Sequence, residues 1–450
     1  MIVTECATRP SDIALPTPSP AASPTGSPTA SPTSPKDASP EAIPTAGSVR
    51  NPVSDETAAV HIPPPLPPDS DWQPPVAGGR PAPRADDAHL SEVLAELGER
   101  IGPLFARPEP RAQAMQYALG LLADGGRSNT WQLAQRVGDS SPWRMQRLLT
   151  RARWDAAAVQ DTVCGYLAEN LGHPEAMLVL GQSDALKKGA KTVAAARQYT
   201  ELTRRVENCQ TAVMTAYISP HGRALMDREL LLPESWTDDP QRCIKAGVPE
   251  ERLAYRTKPE LARTMIERAM DASVPFQWVC GGQDYGQDEA LRGWLEEQGI
   301  RYVFAVPARR LGAASAAAAI PKQRWWPSPG VPGEPGTVPG RWARLTVPNT
   351  SHWGPAAPSC DGFTRSLLLH RRPDAARTDC YLVHAPRGTN GHAMVTAAAA
   401  RCHARRHLDE ARLHTGLDRH EIRTWTAWYR HITLSLLAMA AHTVALGRAG

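Results

Sequence analysis

Apolar positions change their spacing along this chain. Between about Ala88 and Leu171 they recur every three or four residues, in HLSEVLAELGERIGPLF, in RAQAMQYALGLLADG and again from Ala157 to Leu171. That is the period of helices burying one face. Ser128 is placed to cap a short helix through Val137, Gly138 to break it, and Ser141-Pro142 to start another, WRMQRLLTRARW. Two short helices joined by a Gly-containing turn predict a helix-turn-helix-like region within a helical segment, residues 88–172.

Beyond it the apolar runs shorten and become rich in β-formers. Strands are predicted at Ala176–Leu180, Thr192–Tyr199, Cys209–Ser219 and Ala224–Leu232, then a helix at Pro259–Ala272, a buried strand at Phe276–Cys280, a helix at Asp288–Gln298 and a strand at Tyr302–Val306. Strands and helices mixed in this way predict an α/β core over residues 173–306. Residues 307–390 read as a loop and β-rich insertion, with strands at Arg341–Val347, Ser366–His370 and Tyr381–His384. Two helices, Ala393–His414 and Trp425–Leu446, complete the core within residues 391–450.

Composition removes one end of the chain from this picture. Of 43 prolines, 20 lie in residues 1–85, in runs such as PTPSPAASPTGSPTASPTSP. With few apolar residues to offset the entropy of ordering, residues 1–87 read as a disordered tail. Met1–Ala14 has neither the basic start nor the apolar core of a secretion signal, and no window approaches a membrane span, so a soluble cytoplasmic chain is expected. Eight scattered cysteines without CxxC pairs read as reduced, mostly buried thiols.

Charge sharpens the expectation of a partner. The first 85 residues carry 5 basic and 8 acidic side chains; the remainder carries 45 against 38. A mildly basic body suits a polyanion, and Arg144, Arg147, Arg151 and Arg153 on the second short helix could meet phosphates. An arginine-rich solvated helix face is the plainer alternative.

The candidate chemistry centres on LVLGQSDALKKGA, residues 178–190, an apolar strand that runs into a polar turn. With WQLAQRVGDSSPWRMQRLL at Trp131, RQYT at Arg197, ENCQTAV at Glu207, GRALMDRELLLPESWTDD at Gly222, TKPELART at Thr257, YGQDEALRGWLEEQGIRYVFAVP at Tyr285 and WYRHITLSLLA at Trp428, it resembles the insertion-sequence 701 family of DDE transposases, in the insertion-sequence 4 group. The resemblance runs from about Phe105 onward. It implies a ribonuclease-H-like fold in which two Asp and one Glu hold two Mg2+ ions against double-stranded DNA, because hard cations take oxygen ligands and two of them clamp both oxygens of a phosphoryl transfer.

This chain departs from the pattern at each acid. The frame of Leu186-Lys187-Lys188-Gly189 puts Gly181 at the first Asp; Trp278, Val279, Gly281, Tyr285 and Gly286 put Gly282 at the second. In the helical motif of the third acid, the family's Tyr, Arg, Glu and Lys fall on Ala398, Arg401, Arg405 and Arg412, so a cation stands where the Glu would be. Asp184, Asp284 and Asp409 lie nearby as fallback acids, but shifts of two or three residues are large against the ~0.5 Å tolerance of ion positioning.

The resulting expectation is a non-catalytic DNA-binding homologue that needs no cofactor. Its DNA contacts would be Arg144, Arg147, Arg151, Lys187, Lys188, Arg401, Arg405 and Arg412, with a homodimer as a compatible assembly. The competing reading is an active transposase using the displaced acids with Mg2+; a third is a relic without a role. His403 and His407 are four apart, a spacing that can bind zinc, with Cys402 adjacent, but no third ligand stands in a suitable frame; Trp325, Trp326, Trp425 and Trp428 read as core or loop aromatics before they read as base-stacking platforms.

Overall fold

The computed structural model describes residues 87–123, 129–308, 320–328, 339–346, 362–373 and 378–449. The predicted tail lies outside these residues apart from Asp87, as do Ser128 and most of the Ala/Pro/Gly-rich stretch before residue 340.

Five helices open the described chain: α1 (Asp87–Ile101), α2 (Pro108–Leu122), α3 (Thr130–Arg136), α4 (Trp143–Thr150) and α5 (Ala156–Leu171). Their apolar stripes, including Val93, Leu97, Tyr117, Leu121, Met145, Leu148 and Tyr166, form one cluster. The strands are β1 (Met177–Leu186), β2 (Ala196–Thr200), β3 (Arg205–Ser219), β4 (Gly222–Leu230), β5 (Trp278–Gly281), β6 (Arg301–Val306), β7 (Trp326–Pro327), β8 (Arg341–Thr346), β9 (Phe363–Arg371) and β10 (Thr378–Pro386). The remaining helices are α6 (Glu234–Thr237), α7 (Pro240–Lys245), α8 (Lys258–Asp271), α9 (Gln283–Gly286), α10 (Glu289–Glu297), α11 (Gly391–Thr415) and α12 (Trp425–Ala449).

The described strands form one mixed sheet in the order β2-β3-β1-β5-β6-β10-β9-β8-β7, with β4 on β3. β1, β5 and β6 run parallel; the other neighbours are antiparallel. Successive β1 residues serve opposite faces, as a strand buried on both sides requires. Leu178 and Leu180 join the cluster of the N-terminal helices, and Val179 joins a second one that includes Met394, Val395 and Ala398 of α11. The α/β class and the ribonuclease-H-like arrangement of a mixed sheet between helices are both present.

α12 packs against α1, α2, α4, α5 and β4. By length and composition it could cross a membrane, which the apolar spacing alone does not anticipate; 72% of its apolar window is buried inside the protein. Its apolar character is that of a central core helix.

Three expectations are corrected. β1 continues six residues past Leu180, because its polar half pairs residue by residue with β3, Gly181 opposite Met214 and Asp184 opposite Thr211. Thr192–Ala195 is not strand: Ala194 adopts a φ of 60°, and β2 begins only at Ala196. The helix predicted to reach Trp154 ends at Thr150; Trp154 turns inward, donates its indole N–H to the Leu148 carbonyl at 2.9 Å and stacks on Phe105 with 5.3 Å between ring centres.

Candidate functional site

The parallel strands β1 and β5 are in register from Met177 opposite Trp278 to Val179 opposite Cys280, and two residues further each reaches a glycine, Gly181 and Gly282. Continued by two residues, that register sets these two sequence-predicted positions beside each other, Gly282 just past the end of β5 and Gly181 midway along β1. The Tyr285 hydroxyl, one helical turn past Gly282, donates to the Gly181 carbonyl at 3.4 Å.

Neither glycine is required by backbone or packing. A Cβ on Gly181 would meet nothing within 4 Å. Gly282 has an ordinary φ of −78°, and a Cβ there would meet only the tip of a flexible side chain, Arg401 Nη2 at 3.3 Å and Cζ at 3.9 Å. Their neighbours differ. A Cβ on Gly281 would press on Tyr285 at 2.8 Å, and one on Gly286 would strike the Ala305 carbonyl oxygen at 2.1 Å. The β5–α9 turn thus needs Gly281 and Gly286 to pack, while Gly181 and Gly282 leave an open notch.

α11 supplies the cations beside the notch. Arg401 is half-buried and reaches Gly282; it also lies near the Cys280 thiol, which burial pushes up to about 12 against the opposing pull of this guanidinium. Arg405, one turn on, is exposed and ion-paired with Glu201 at 2.9 Å in the β2–β3 turn. So Gly181 and Gly282 come together, and Arg401 rather than Arg405 is the residue whose side chain reaches Gly282.

The fallback acids have other occupations. Asp184 is buried, and both its oxygens are taken: Oδ1 accepts the Thr211 hydroxyl at 2.8 Å, and Oδ2 accepts from Thr200 Oγ1 at 2.7 Å, Gln182 Nε2 at 3.0 Å and the Glu201 N–H at 3.2 Å. Asp284 is exposed and pairs with Lys258 Nζ at 2.8 Å, which also donates to Gln182 Oε1 at 2.6 Å. Asp409 pairs with Arg412 at 2.9 Å. Among the described residues no three His, Cys, Asp or Glu side chains form a group that could hold a metal ion. An all-oxygen divalent site also needs carboxylates facing the notch, and the group that reaches it is a guanidinium, so the residues present do not fit one. His403 and His407 are likewise committed, to Arg223 at 3.3 Å and Glu410 at 3.1 Å.

The predicted DNA contacts divide by exposure. α3 is capped by Asn129, one residue after the expected Ser128: its side chain accepts the Gln132 N–H at 2.9 Å while Gln132 Oε1 accepts the Asn129 N–H at 3.1 Å. Gly138, at a φ of 77°, makes the turn. α4 then buries Met145, Leu148 and Leu149 and leaves Trp143, Arg144 and Arg147 outward, with Arg151 at its C-cap also exposed. Lys188 is exposed too. Lys187 is turned inward, its ammonium 2.7 Å from the His420 carbonyl, and Arg412 is held by Asp409.

Trp325, Trp425 and Trp428 are core side chains at 5%, 6% and 2% exposure. Among the described residues the outward indoles are Trp131 and Trp143, each 56% exposed on α3 and α4. Sequence reading missed them; the signal was available in α4, where Trp143 falls opposite the Met145/Leu148/Leu149 stripe.

With this geometry in place, comparison with known proteins identifies the class. Residues 100–357, more than half of the chain, match the family described as DDE superfamily endonuclease, and the chain belongs to that family. It is also similar to a probable transposase for insertion sequence element IS701 from Microchaete diplosiphon, 26% identical over 202 residues. That match covers 44% of this chain and 50% of the relative, so the chain spans about half the length of the transposase it matches.

Proposed function

We propose that this protein is a cytoplasmic DNA-binding member of the family that holds double-stranded DNA without cutting it, a pseudoenzyme derived from a transposase. The observation that carries the reading is the notch itself. Two adjacent glycines that packing does not require stand where the family resemblance expects aspartates, with a guanidinium beside them. Carboxylates without ions repel phosphate; an open notch with a cation attracts it. The exposed Arg144, Arg147 and Arg151 on and after α4 support the same partner, with Lys188 and Arg405 as further candidate contacts. Such a protein acts by occupying DNA, as a regulator does.

The second reading, an active transposase using displaced acids, is favoured by one observation: Asp184 and Asp284 are linked through Gln182 and Lys258. Against it stand the hydrogen bonds that already occupy both Asp184 oxygens. The deciding experiment has two arms. Duplex binding is measured at low salt in EDTA, and nicking of supercoiled plasmid with Mg2+ or Mn2+. Binding without nicking is expected, and Arg144→Ala with Arg147→Ala should flatten the salt dependence by about one unit of slope for each phosphate no longer engaged. Metal-dependent nicking abolished by Asp184→Asn or Asp284→Asn would establish the enzyme reading, and absence of duplex binding would remove the binding one.

A further inference from the structure

We infer that the outer edge of β2 is a self-association surface, where a second copy of this chain lays its own β2 antiparallel, related by a two-fold axis at Gln198. The inference does not depend on the DNA-binding reading, and its test contains no DNA.

The first support is the edge itself. β2 begins the sheet order: β3 pairs with it on one side and, among the described residues, no strand pairs with it on the other. Such an edge presents unpaired N–H and C=O groups, which monomeric proteins blunt with proline, lysine or a bulge. The β2 sequence ARQYT holds neither proline nor lysine, and its ladder to β3 runs unbroken from Ala196 opposite Cys209 to Thr200 opposite Arg205.

The second is what the edge displays. Arg197 and Tyr199, two residues apart, project from one face and are exposed, Tyr199 at 59%. Val206, the register partner of Tyr199 on β3, shares that face and is 52% exposed. Leu202, in the turn between the strands, is exposed as well. Apolar side chains gathered at an unprotected edge are a surface for a partner.

The third is that β2 complements itself. A two-fold axis normal to the sheet keeps each face on its own side, so it passes through a residue. Through Gln198 it pairs the whole strand: Ala196 with Thr200, Arg197 with Tyr199, and Gln198 with its own copy. Each guanidinium then lies against the other copy's phenol ring, a cation–π contact on the exposed face. Through Arg197 the axis would set two guanidiniums against each other. Through Tyr199 it would pair Arg197 with Glu201, which Arg405 already holds. Charge thus selects the Gln198 register, and with it a second copy as the occupant. So short an edge buries less than the ~800 Å² per partner of a stable interface, which makes the dimer one of micromolar affinity.

The test is sedimentation velocity of the full chain in reducing buffer, from about 1 to about 100 μM, a range that brackets micromolar association. The weight-average coefficient of the wild-type chain is expected to climb from monomer toward dimer. Tyr199→Lys, which sets an ammonium opposite Arg197, should weaken association about tenfold or more, and Arg197→Glu, which removes the cation–π contact, should act in the same direction. Both side chains are exposed, so neither change empties the core. The two together should restore association, since each new carboxylate faces the other copy's new ammonium; a general loss of folding would not be rescued. Gln198→Cys, oxidised at dimer-forming concentration, should give a disulfide joining the same peptide from two copies, because opposed Cα atoms lie about 4.5–5.5 Å apart, within disulfide reach. A wild-type chain that stays monomeric to about 100 μM overturns the inference. So does a dimer that Tyr199→Lys leaves intact, or one in which Gln198→Cys links no two copies.

Discussion

Asp184 on β1 accepts the hydroxyl of Thr211, its register partner on β3, at 2.8 Å inside the sheet. With Thr200, Gln182 and the Glu201 amide on its other oxygen, this carboxylate ties together β1, β3 and the β2–β3 turn. Its role in the structure is architectural. Asp184→Ala should cost about 2–4 kcal/mol in urea denaturation, since it strands buried donors. A variant of undiminished stability that instead abolished metal-dependent nicking would return Asp184 to the catalytic candidates.

The two kinds of glycine around the notch, on β1 and in the β5–α9 region, give opposite outcomes on substitution. Gly286→Ala forces a methyl onto the Ala305 carbonyl oxygen and should destabilise by about 2–4 kcal/mol. Gly181→Ala meets open space in a strand and should be neutral or stabilising by up to about 1 kcal/mol. Thermal melts of the two variants check the contrast, and equal destabilisation would mean that the notch is not open.

Restoring acids should restore metal affinity only in combination. Gly181→Asp, Gly282→Asp and Arg405→Glu together are expected to bind Mn2+ measurably by calorimetry, whereas the wild-type chain and each single variant are not, because a divalent ion needs several oxygen ligands at once. A single variant that bound as well as the triple would show that the three positions do not act together.

Acid should loosen the core through buried histidines. Burial, aided by the Lys187 ammonium, depresses His431 to about 3; burial holds His442 down to about 4 and His420 well below its usual value. These rings are neutral when folded and titrate near 6.5 when unfolded. Their contribution to stability is therefore whole above about pH 6.5, declines as the pH falls toward the folded values, and is flat below them. Each buried ring should contribute on the order of 1.4 kcal/mol per pH unit within that window. Urea midpoints measured from pH 7 to about 4.5 should fall. His431→Gln, which can keep a partner for the Tyr117 hydroxyl now 2.8 Å from His431 Nδ1, should make the decline shallower; an unaltered slope would rule out this ring as a contributor.

Much of the architecture was legible because period and burial agree. The helices of the N-terminal region, α8, α10, α11 and α12, and the apolar parts of β1, β3, β5 and β6 follow directly from apolar spacing. β1 reads too short in the sequence because its second half is polar, and only the ladder to β3 shows that Asp184 can be buried there. Thr192–Ala195 misleads in the opposite way, an apolar run whose backbone turns at Ala194. Around the notch, the frame of the family resemblance points to Gly181 and Gly282, while the ion pairs that leave Arg401 aside are invisible. Arg405 finds Glu201 across 204 residues of sequence and Lys258 finds Asp284 across 26, so no local pattern indicates which cation is left over.

The position of α12 sets the order in which this protein can come into being. Helix α4, which presents Arg144 and Arg147, closes its apolar face against Trp425–Ala449, a segment synthesised some 275 residues later. On the ribosome, α4 must wait for it. A fragment ending before α12 would expose that face to chaperones and proteases, so the surface carrying Arg144 and Arg147 is delivered with the whole described fold and not as a detachable module.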